Sequence, residues 1–462
     1  MSTDTPQKLL VEGSRRKSQG SLPGGRGRQP LHNFWGNDVY NACVRILISA
    51  GEASGEMYGA QLIESLRETL RSGQPRAAVP TQSQLKTVPS QSQLGVARPT
   101  QSESSIEFFG VGGDKMRGAG CDIVVDAKDL SVVGITEILS HLPKIWGLFH
   151  KLIAKADKRR PDLAVVIDSP AFNWRVARQM KKRGIPVVYY VCPQFWAWRQ
   201  GRVRLLRKYV DKALVIFPFE EKFYRDRGVN ADFVGHPLAQ LPRPTISRDQ
   251  YARDHGLVAS KPWITLMPGS RTKEVRMNLP EMLWAAEMLG TEYNFILPVA
   301  PTVSIELIKE LMGWNDNATS SIHLTTDALP ALAHSRAGII ASGTATVEAA
   351  IMETPFVMVY RVTRLTYLLG RWTVEVPHFA MVNLIAGEEV VPELVQKDFT
   401  AGQIAAELKR IIPDGAPRKA MIEGLRRVKQ LLRGNVEGNA PGHAAKAIAG
   451  LLSTRTHGAA HT

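Results

Sequence analysis

The sequence predicts an α/β protein with two doubly wound halves, each a parallel sheet covered by helices on both faces. Continuous apolar segments such as 44–50 and 163–168 alternate with amphipathic segments, as buried parallel strands alternate with helices. A chain of 462 residues is longer than a single hydrophobic core ordinarily accommodates, which favours two domains. A proline-rich stretch at 238–244 interrupts the alternation and is the predicted hinge. We therefore expect a cleft lined by the carboxyl ends of the strands.

The order of the elements follows from the apolar segments and their spacing. Strands are predicted at 44–50, 106–109, 163–168, 186–191 and 213–217, with helices at 56–70 and 171–183. The second set of strands is predicted at 263–267, 293–297, 321–324, 337–341 and 355–360, followed by helices near 401–412, 417–433 and 441–453. The resulting domains are 44–240 and 241–435, with a C-terminal helix and tail at 436–462.

Two low-complexity segments interrupt this pattern. Residues 1–43 are rich in Ser, Gly, Arg, Pro and Gln and are predicted to be a disordered basic tail. Residues 73–105 hold three imperfect copies of a Pro-Thr-Gln-Ser-Gln pentad and are predicted to be a loop insertion, which costs little stability.

Composition limits the class of protein. Lys and Arg number 58 against 43 Asp and Glu, a net charge of +15, which favours a polyanionic partner such as a nucleic acid, an anionic membrane or a phosphorylated substrate. No Arg and aromatic spacing matches an RNA-binding signature, so nucleic acid is not the expected partner. Three widely spaced cysteines indicate neither a disulfide framework nor a metal site. We expect no transmembrane helix and no signal peptide.

The stretch 338–348 predicts a strand, a tight turn and a helix. Ser342, Gly343 and Thr344 form the turn, where free backbone N–H groups and the helix dipole would hold a phosphate. Glu348, one turn further on, could accept hydrogen bonds from a ribose. The alternative is an ordinary turn with an exposed glutamate.

A second phosphate turn is predicted at 266–271. Gly269 allows close approach of the backbone, Ser270 offers a hydroxyl, and Arg271 offers a guanidinium matched to phosphate. The alternative is a surface arginine at a helix start, where the helix dipole disfavours a cation. Two such turns in one half favour a diphosphate ligand.

The first half carries candidates for sugar binding and catalysis. The turn with Glu52, Ser54 and Gly55 suits a hydroxylated ligand, although Ser54 could simply cap the helix. Asp168 ends a buried strand and could act as a general base on a hydroxyl, or could cap the next helix. Trp196 could stack on a sugar or pack in the core.

Two further segments remain open. His236 precedes the hinge and is either a structural histidine or a donor contact across the cleft. The stretch 130–160 has more apolar residues than one buried stripe needs, interleaved with lysines, and predicts either a membrane-interface helix or a core helix with a basic end. The residues proposed for membrane docking are Val132, Val133, Ile135, Ile138, Leu139 and Leu142.

Taken in order, these stretches resemble the lipid-A-disaccharide synthase family of glycosyltransferases (family 19). The match covers roughly 44–433 and is carried by 50–55 (AGEASG), 109–113 (FGVGG), 133–139 (VGITEIL), 167–170 (IDSP), 196–200 (WAWRQ), 218–220 (PFE) with 223–224 (FY), 234–236 (VGH), 266–271 (LMPGSR), 341–345 (ASGTA) with Glu348, and 383–387 (NLIAG). The chain departs from the family pattern at Glu56, Ala171 and 380–382, where the family usually has aspartate, aspartate and Ser-Leu-Pro.

The resemblance implies two Rossmann-like domains in the GT-B arrangement and inverting transfer with no metal or organic cofactor. It implies UDP-2,3-diacylglucosamine as donor, the 6-hydroxyl of 2,3-diacylglucosamine 1-phosphate as acceptor, and the inner face of the cytoplasmic membrane as location; it leaves a homodimer open. It assigns site roles to Glu52, Asp168, Arg271 and Asn383, and UDP binding to 342–348. The alternatives are an isomerase of the UDP-N-acetylglucosamine 2-epimerase kind and a non-catalytic nucleotide-sugar or phospholipid-binding protein.

Overall fold

A computed structural model describes residues 43–72, 106–130, 135–313, 322–363, 376–434 and 438–458. Within these ranges, the side chains of Ala53, 135–142 and 455–458 are not described. The predicted tail therefore lies outside the described residues apart from Cys43, and the pentad insertion lies wholly outside them.

The first sheet has seven parallel strands in the order β3-β2-β1-β4-β5-β6-β7. They are β1 Val44–Ala50, β2 Ile106–Gly112, β3 Cys121–Asp126, β4 Leu163–Ile167, β5 Val187–Tyr190, β6 Lys212–Val215 and β7 Ala231–Phe233. The helices around them are α1 Ala53–Ser72, α2 Asp114–Gly118, α3 Ile135–Arg159, α4 Pro170–Lys182, α5 Val203–Tyr209 and α6 Pro218–Arg225.

The second sheet has six parallel strands in the order β10-β9-β8-β11-β12-β13. They are β8 Trp263–Met267, β9 Asn294–Pro298, β10 Ile322–Thr325, β11 Ala337–Ala341, β12 Phe356–Tyr360 and β13 Glu393–Val395. The helices are α7 Arg248–His255, α8 Thr272–Leu289, α9 Ile305–Met312, α10 Ala328–His334, α11 Thr344–Met352, α12 Met381–Ala386, α13 Ala401–Ile411, α14 Ala416–Arg433 and α15 Ala440–Gly458.

The predicted strands are present, with ends shifted by a few residues, and the prediction of two parallel sheets with helices is confirmed. The apolar pattern of the sequence does not predict β3, β7 and β13. All three lie at sheet edges, where a short strand is only partly buried and shows no continuous apolar run.

The C-terminal helix returns to the first lobe. The helices α15 and α1 pack against each other, and the small residues Ala444 and Ala445 are fully buried. The backbone N–H of His236 donates to the carbonyl oxygen of Leu432 at 2.9 Å, so the two chain crossings between the lobes lie side by side. One buried apolar cluster consequently includes residues of both lobes.

Each sheet has one point where the strand order changes direction. In the first sheet it lies between the neighbours β1 and β4, and in the second between β8 and β11. The segments leaving these four strands begin at Gly51, Asp168, Pro268 and Ser342. A crevice opens at such a point because the connections leave towards opposite faces of the sheet. The topology thus brings the four predicted turns to two crevices.

Candidate active site

The two crevices share one cleft between the lobes, with a volume of about 650 Å³. Eight residues predicted from sequence line it: Ser54, Asp168, Trp196, His236, Arg271, Ser342, Gly343 and Thr344. The first four belong to the first lobe and the others to the second. The predicted cleft is therefore present, and strand-end turns from both lobes face it.

Asp168 is held in an unusual backbone conformation. Its φ is 48° and that of Ser169 is 45°, both in the left-handed region, where non-glycine residues are uncommon. The amide of Asn173, which is fully buried, donates to the carbonyl oxygens of Ile167 and Asp168, both at 2.8 Å. The Tyr189 hydroxyl also donates to the Asp168 carbonyl oxygen at 2.8 Å. These contacts fix the turn that aims Asp168 into the cleft.

The environment of Asp168 suits a base. Burial, followed by the negative charge of Glu52, raises the pKa of Asp168 to about 6, and a hydrogen bond from the backbone of Ser169 opposes this rise. A carboxylate with a pKa near 6 is ionised at neutral pH and accepts a proton more readily than an ordinary aspartate. Glu52 is exposed and does not line the cleft cavity. The hydrogen bond and charge of Glu274 raise the pKa of Arg271, and the charge of Glu52 adds to this rise. Glu52 therefore lies near both groups.

The turn at 268–271 requires its glycine. Gly269 has φ of +125°, and a Cβ there would lie 2.7 Å from Oε2 of Glu274 and 2.8 Å from its Cβ. Glu274, in the first turn of α8, accepts from the Ser270 backbone N–H at 3.3 Å and from Nη1 of Arg271 at 2.8 Å. The Arg271 side chain remains 76% exposed. Its guanidinium thus stands at the cleft with one carboxylate partner and free capacity for an anion.

The turn at 342–344 is the second anion seat. Gly343 is the N-cap of α11 with φ of 146°, and open space surrounds it where a Cβ would stand. The hydroxyl of Ser342 donates to the carbonyl oxygen of Phe379 at 2.8 Å, so it positions a neighbouring wall of the cleft. Thr344 is exposed at the start of the helix. The backbone N–H groups at this helix start suit a phosphate.

Glu348 lies beneath this turn on α11. It does not line the cavity, and burial raises its pKa. Tyr58 of α1 does line the cavity, and burial, then the negative charges of Asp168 and Glu348, raise the pKa of Tyr58 to about 12. A first-lobe hydroxyl therefore lies near carboxylates of both lobes.

His236 is buried at the back of the cleft. Its Nδ1 accepts from the Leu238 backbone N–H at 3.1 Å, and its ring lies 5.3 Å from that of Phe217. Burial lowers the pKa of His236 to about 3. The ring is consequently neutral near pH 7, with its proton on Nε2, and can offer that N–H as a donor.

Trp196 forms a wall of the cleft rather than an open stacking surface. It is 7% exposed, its Nε1–H donates to Oε1 of Glu220 at 2.8 Å, and it packs edge-on against Phe219. Burial raises the pKa of the Glu220 carboxyl to about 7, although that carboxyl accepts from Trp196 and the Phe217 and Ile216 backbones. The predicted alternative, packing beneath the cleft, describes most of this side chain.

Six predicted contact residues do not line the cavity: Glu52 and Glu348, described above, Gly269 and Ser270 of the turn at 268–271, and Asn383 and Gly55. Asn383 is fully buried, and its amide contacts the backbone of Val390 and Val391 and the carboxylate of Glu393. Gly55 is buried under β4, where a Cβ would lie 3.7 Å from the Ile167 carbonyl oxygen, so it serves helix packing. In this structure both residues support the cleft wall, and their predicted ligand contacts stay predictions.

The proposed membrane segment is only partly described. Val132 and Val133 lie outside the described residues, and the side chains of Ile135, Ile138, Leu139 and Leu142 are not described. Of the described part of α3, Trp146 is 57% exposed, whereas Phe149 and Leu152 are buried. The described helices include none long and apolar enough to cross a membrane. Among the described residues, no group of three or more His, Cys, Asp or Glu is placed to hold a metal ion.

Four functional candidates were not predicted from the sequence: Tyr58, Asn173, Glu220 and Glu274. Asn173 and Glu274 stand within five residues of predicted site residues, and that nearness was the available signal. Tyr58 likewise lies four residues after Ser54, and Glu220 lies in the 218–220 motif, but helix position alone does not reveal that Tyr58 faces the cleft or that Glu220 is buried against Trp196.

The two parallel sheets on either side of one cleft have the GT-B fold. Similar solved structures include a putative UDP-N-acetylglucosamine 2-epimerase from Listeria monocytogenes (TM-score 0.55, 11% identity, 90% of this chain and 97% of that one). They also include MurG of Acinetobacter baumannii (TM-score 0.50, 13% identity, covering 88% of this chain and 99% of that one). At these identities the likeness shows the fold alone.

Sequence relatives specify the family. A family model for lipid-A-disaccharide synthetase matches residues 90–448. The lipid-A-disaccharide synthase of Koribacter versatilis is 47% identical over 412 residues, covering 88% of this chain and 98% of the relative. That of Acidobacterium capsulatum is 43% identical over 403 residues, covering 85% and 92%. The chain belongs to the lipid-A-disaccharide synthase family of glycosyltransferases, which confirms the predicted family, fold class and type of enzyme.

Proposed function

We propose that the chain transfers 2,3-diacylglucosamine from its UDP donor to the 6-hydroxyl of 2,3-diacylglucosamine 1-phosphate, releasing UDP and a β-1,6 disaccharide 1-phosphate. One observation carries the proposal. A partly buried carboxylate with its pKa raised to about 6 faces, across one cleft, two turns suited to phosphates. This is the arrangement that displacement of a nucleoside diphosphate by an alcohol requires.

The second lobe holds the donor. The diphosphate occupies the helix starts at Ser270 and Ser342–Thr344, where backbone N–H groups and the helix dipoles favour anions. Arg271 neutralises charge that develops on the departing UDP. Glu348 accepts hydrogen bonds from the ribose, and the neutral His236 donates from Nε2. In support, a solved structure of the same fold, UDP-GlcNAc 2-epimerase from Neisseria meningitidis, is described as bound to UDP-GlcNAc (TM-score 0.53, 12% identity).

The first lobe activates the acceptor. Asp168 takes the proton of the 6-hydroxyl as its oxygen attacks the anomeric carbon of the donor. The bond from that carbon to the phosphate oxygen breaks, and UDP leaves with the electron pair. The configuration inverts because attack and departure occur on opposite faces of the sugar. Glu52 and Ser54, at the mouth of the first-lobe crevice, contact the acceptor sugar.

Both proposed lipid substrates reside in a bilayer, so the enzyme works as a peripheral protein on the inner face of the cytoplasmic membrane. The described part of α3 supports this role, because this helix carries the exposed Trp146 together with Lys144, Lys151 and Lys155.

Release of UDP with paired substrates tests the proposal. The purified protein should release UDP when given acylated UDP-glucosamine with the acylated 1-phosphate acceptor, and much less when either substrate lacks acyl chains. Epimerisation of UDP-N-acetylglucosamine without an acceptor would instead support an isomerase. Binding of UDP with no turnover of either pair would support a non-catalytic binding protein.

A further inference from the structure

The segment 169–210 is strongly basic. It contains ten Lys and Arg residues and no Asp or Glu, in a chain whose whole excess is +15. All ten cations are exposed. Lys181 and Arg183 pair with Asp211 and Asp157, and the other eight form no ion pair with any described residue. A solvated helix surface ordinarily mixes both signs of charge, so this surface is unusual.

Nine of these cations lie on α4, on the segment 198–202 or on α5, and the exposed residues of these three segments are here termed the basic face. The helices α4 and α5 pack against each other, and Trp174 and Tyr209 line a shallow groove between them. A third aromatic residue, Trp198, is 45% exposed. The basic face therefore combines cations with aromatic side chains at its surface.

Each of these aromatic rings has a cation beside it. Arg175 lies 4.8 Å from the ring centroid of Trp174, and Arg199 lies 4.5 Å from that of Trp198. Lys208 lies 5.5 Å from that of Tyr209. Pairs of this kind keep a cation at the surface without a neutralising carboxylate.

The basic face adjoins the cleft. Trp196 and Ala197 line the cavity, and Trp198 follows directly; Pro170, the first residue of α4, lines it too. The neighbouring helix α3 contacts α4 through Phe149 and Phe172, whose ring centroids are 5.9 Å apart. A surface bound to the basic face would thus lie beside the entrance to the site.

We infer that the basic face binds the anionic headgroups of a lipid bilayer. Interfacial tryptophans with unpaired Arg and Lys fit the boundary between headgroups and acyl chains, where anionic lipids attract each cation. The inference rests on the proposed function, since lipid substrates give this location a purpose: it would hold the cleft entrance at the bilayer from which they come.

The test compares two triple variants of equal net charge. The first is Arg202→Gln, Arg204→Gln and Lys208→Gln on the basic face. The control is Lys397→Gln, Lys409→Gln and Lys419→Gln on the second lobe, where these lysines are exposed. Binding is measured by sedimentation with phosphatidylcholine vesicles, with and without phosphatidylglycerol.

We expect the basic-face variant to bind anionic vesicles about fivefold more weakly for each residue changed, roughly a hundredfold in all. The control variant should bind as the unchanged protein does, and high salt should abolish the difference. Release of UDP from detergent-dispersed substrates should be unaltered in both variants, which separates this inference from the proposed function: loss of UDP release in the unchanged protein would refute only the latter.

Equal vesicle binding by the two variants would overturn the inference. So would binding of an RNA oligonucleotide that the basic-face variant loses while its vesicle binding stays intact, because that result would assign the face to nucleic acid.

Discussion

Replacement of Asp168 by Asn should separate catalysis from stability, because turnover should fall while the free energy of unfolding at neutral pH should rise. Asn cannot ionise or accept the proton of the acceptor, so turnover should fall by about 10²–10⁴, the usual contribution of a positioned base. Asn also tolerates the left-handed backbone found at this position, where φ is 48°. The turn itself should therefore persist.

The stability change follows from the raised pKa. The pKa of Asp168 rises from 3.8 to about 6 in the folded protein. Between those pH values the unfolded chain therefore binds fewer protons than the folded protein. Stability of the unchanged protein should therefore fall as the pH rises through roughly 4 to 6. This change in pKa corresponds to about 3 kcal/mol in the free energy of unfolding, and the partial exposure of Asp168 reduces it to about 1–2 kcal/mol. The Asn variant should lack that fall and be more stable at pH 7.5 by about this amount.

The assays are UDP release and urea denaturation, each measured from pH 4.5 to 8. The rate of the unchanged enzyme should rise with pH through about 6, as the carboxylate ionises. The surface variant Asp157→Asn serves as control, because its carboxylate is exposed and pairs with Arg183. Wild-type turnover in the Asp168 variant would refute the base assignment. Parallel losses of activity and stability would show that the carboxylate is structural.

Three further changes test the cleft. Gly269→Ala should destabilise the fold by about 2 kcal/mol and weaken UDP binding, since its Cβ would meet Glu274 at 2.7 Å; Gly313→Ala, also at positive φ but in open space, should cost about 1 kcal/mol, and equal losses would contradict the clash. His236→Asn should retain more of its stability as the pH falls from 6.5, because the unfolded chain protonates a histidine that the folded protein, with its pKa near 3, keeps neutral; identical pH profiles in thermal melts would count against this. Trp196→Phe should cost about 1–3 kcal/mol in urea denaturation by removing a donor from the buried Glu220, and an unchanged midpoint would show that the hydrogen bond contributes nothing.

Much of the fold follows from local pattern. The buried strands are recognisable because both faces of a parallel sheet need apolar side chains, and the missed edge strands lack that requirement. The turns at 268–271 and 342–344 are recognisable because glycine and serine after a strand permit a tight approach of the backbone. The domain boundaries and the ligand contacts of these turns stay predictions.

The sequence by itself determined the two parallel halves, the strand-end turns and the family to which the chain belongs, since all three are carried by neighbouring residues in order. Only the tertiary structure decided that Asn383 and Gly55 support the cleft, that Trp196 is held by Glu220, and that Tyr58 lies near carboxylates of both lobes. The physical reason is the separation along the chain of the residues that interact. A strand or turn depends on adjacent residues, whereas burial, and with it the pKa of a carboxyl, depends on residues brought together from distant parts of the chain.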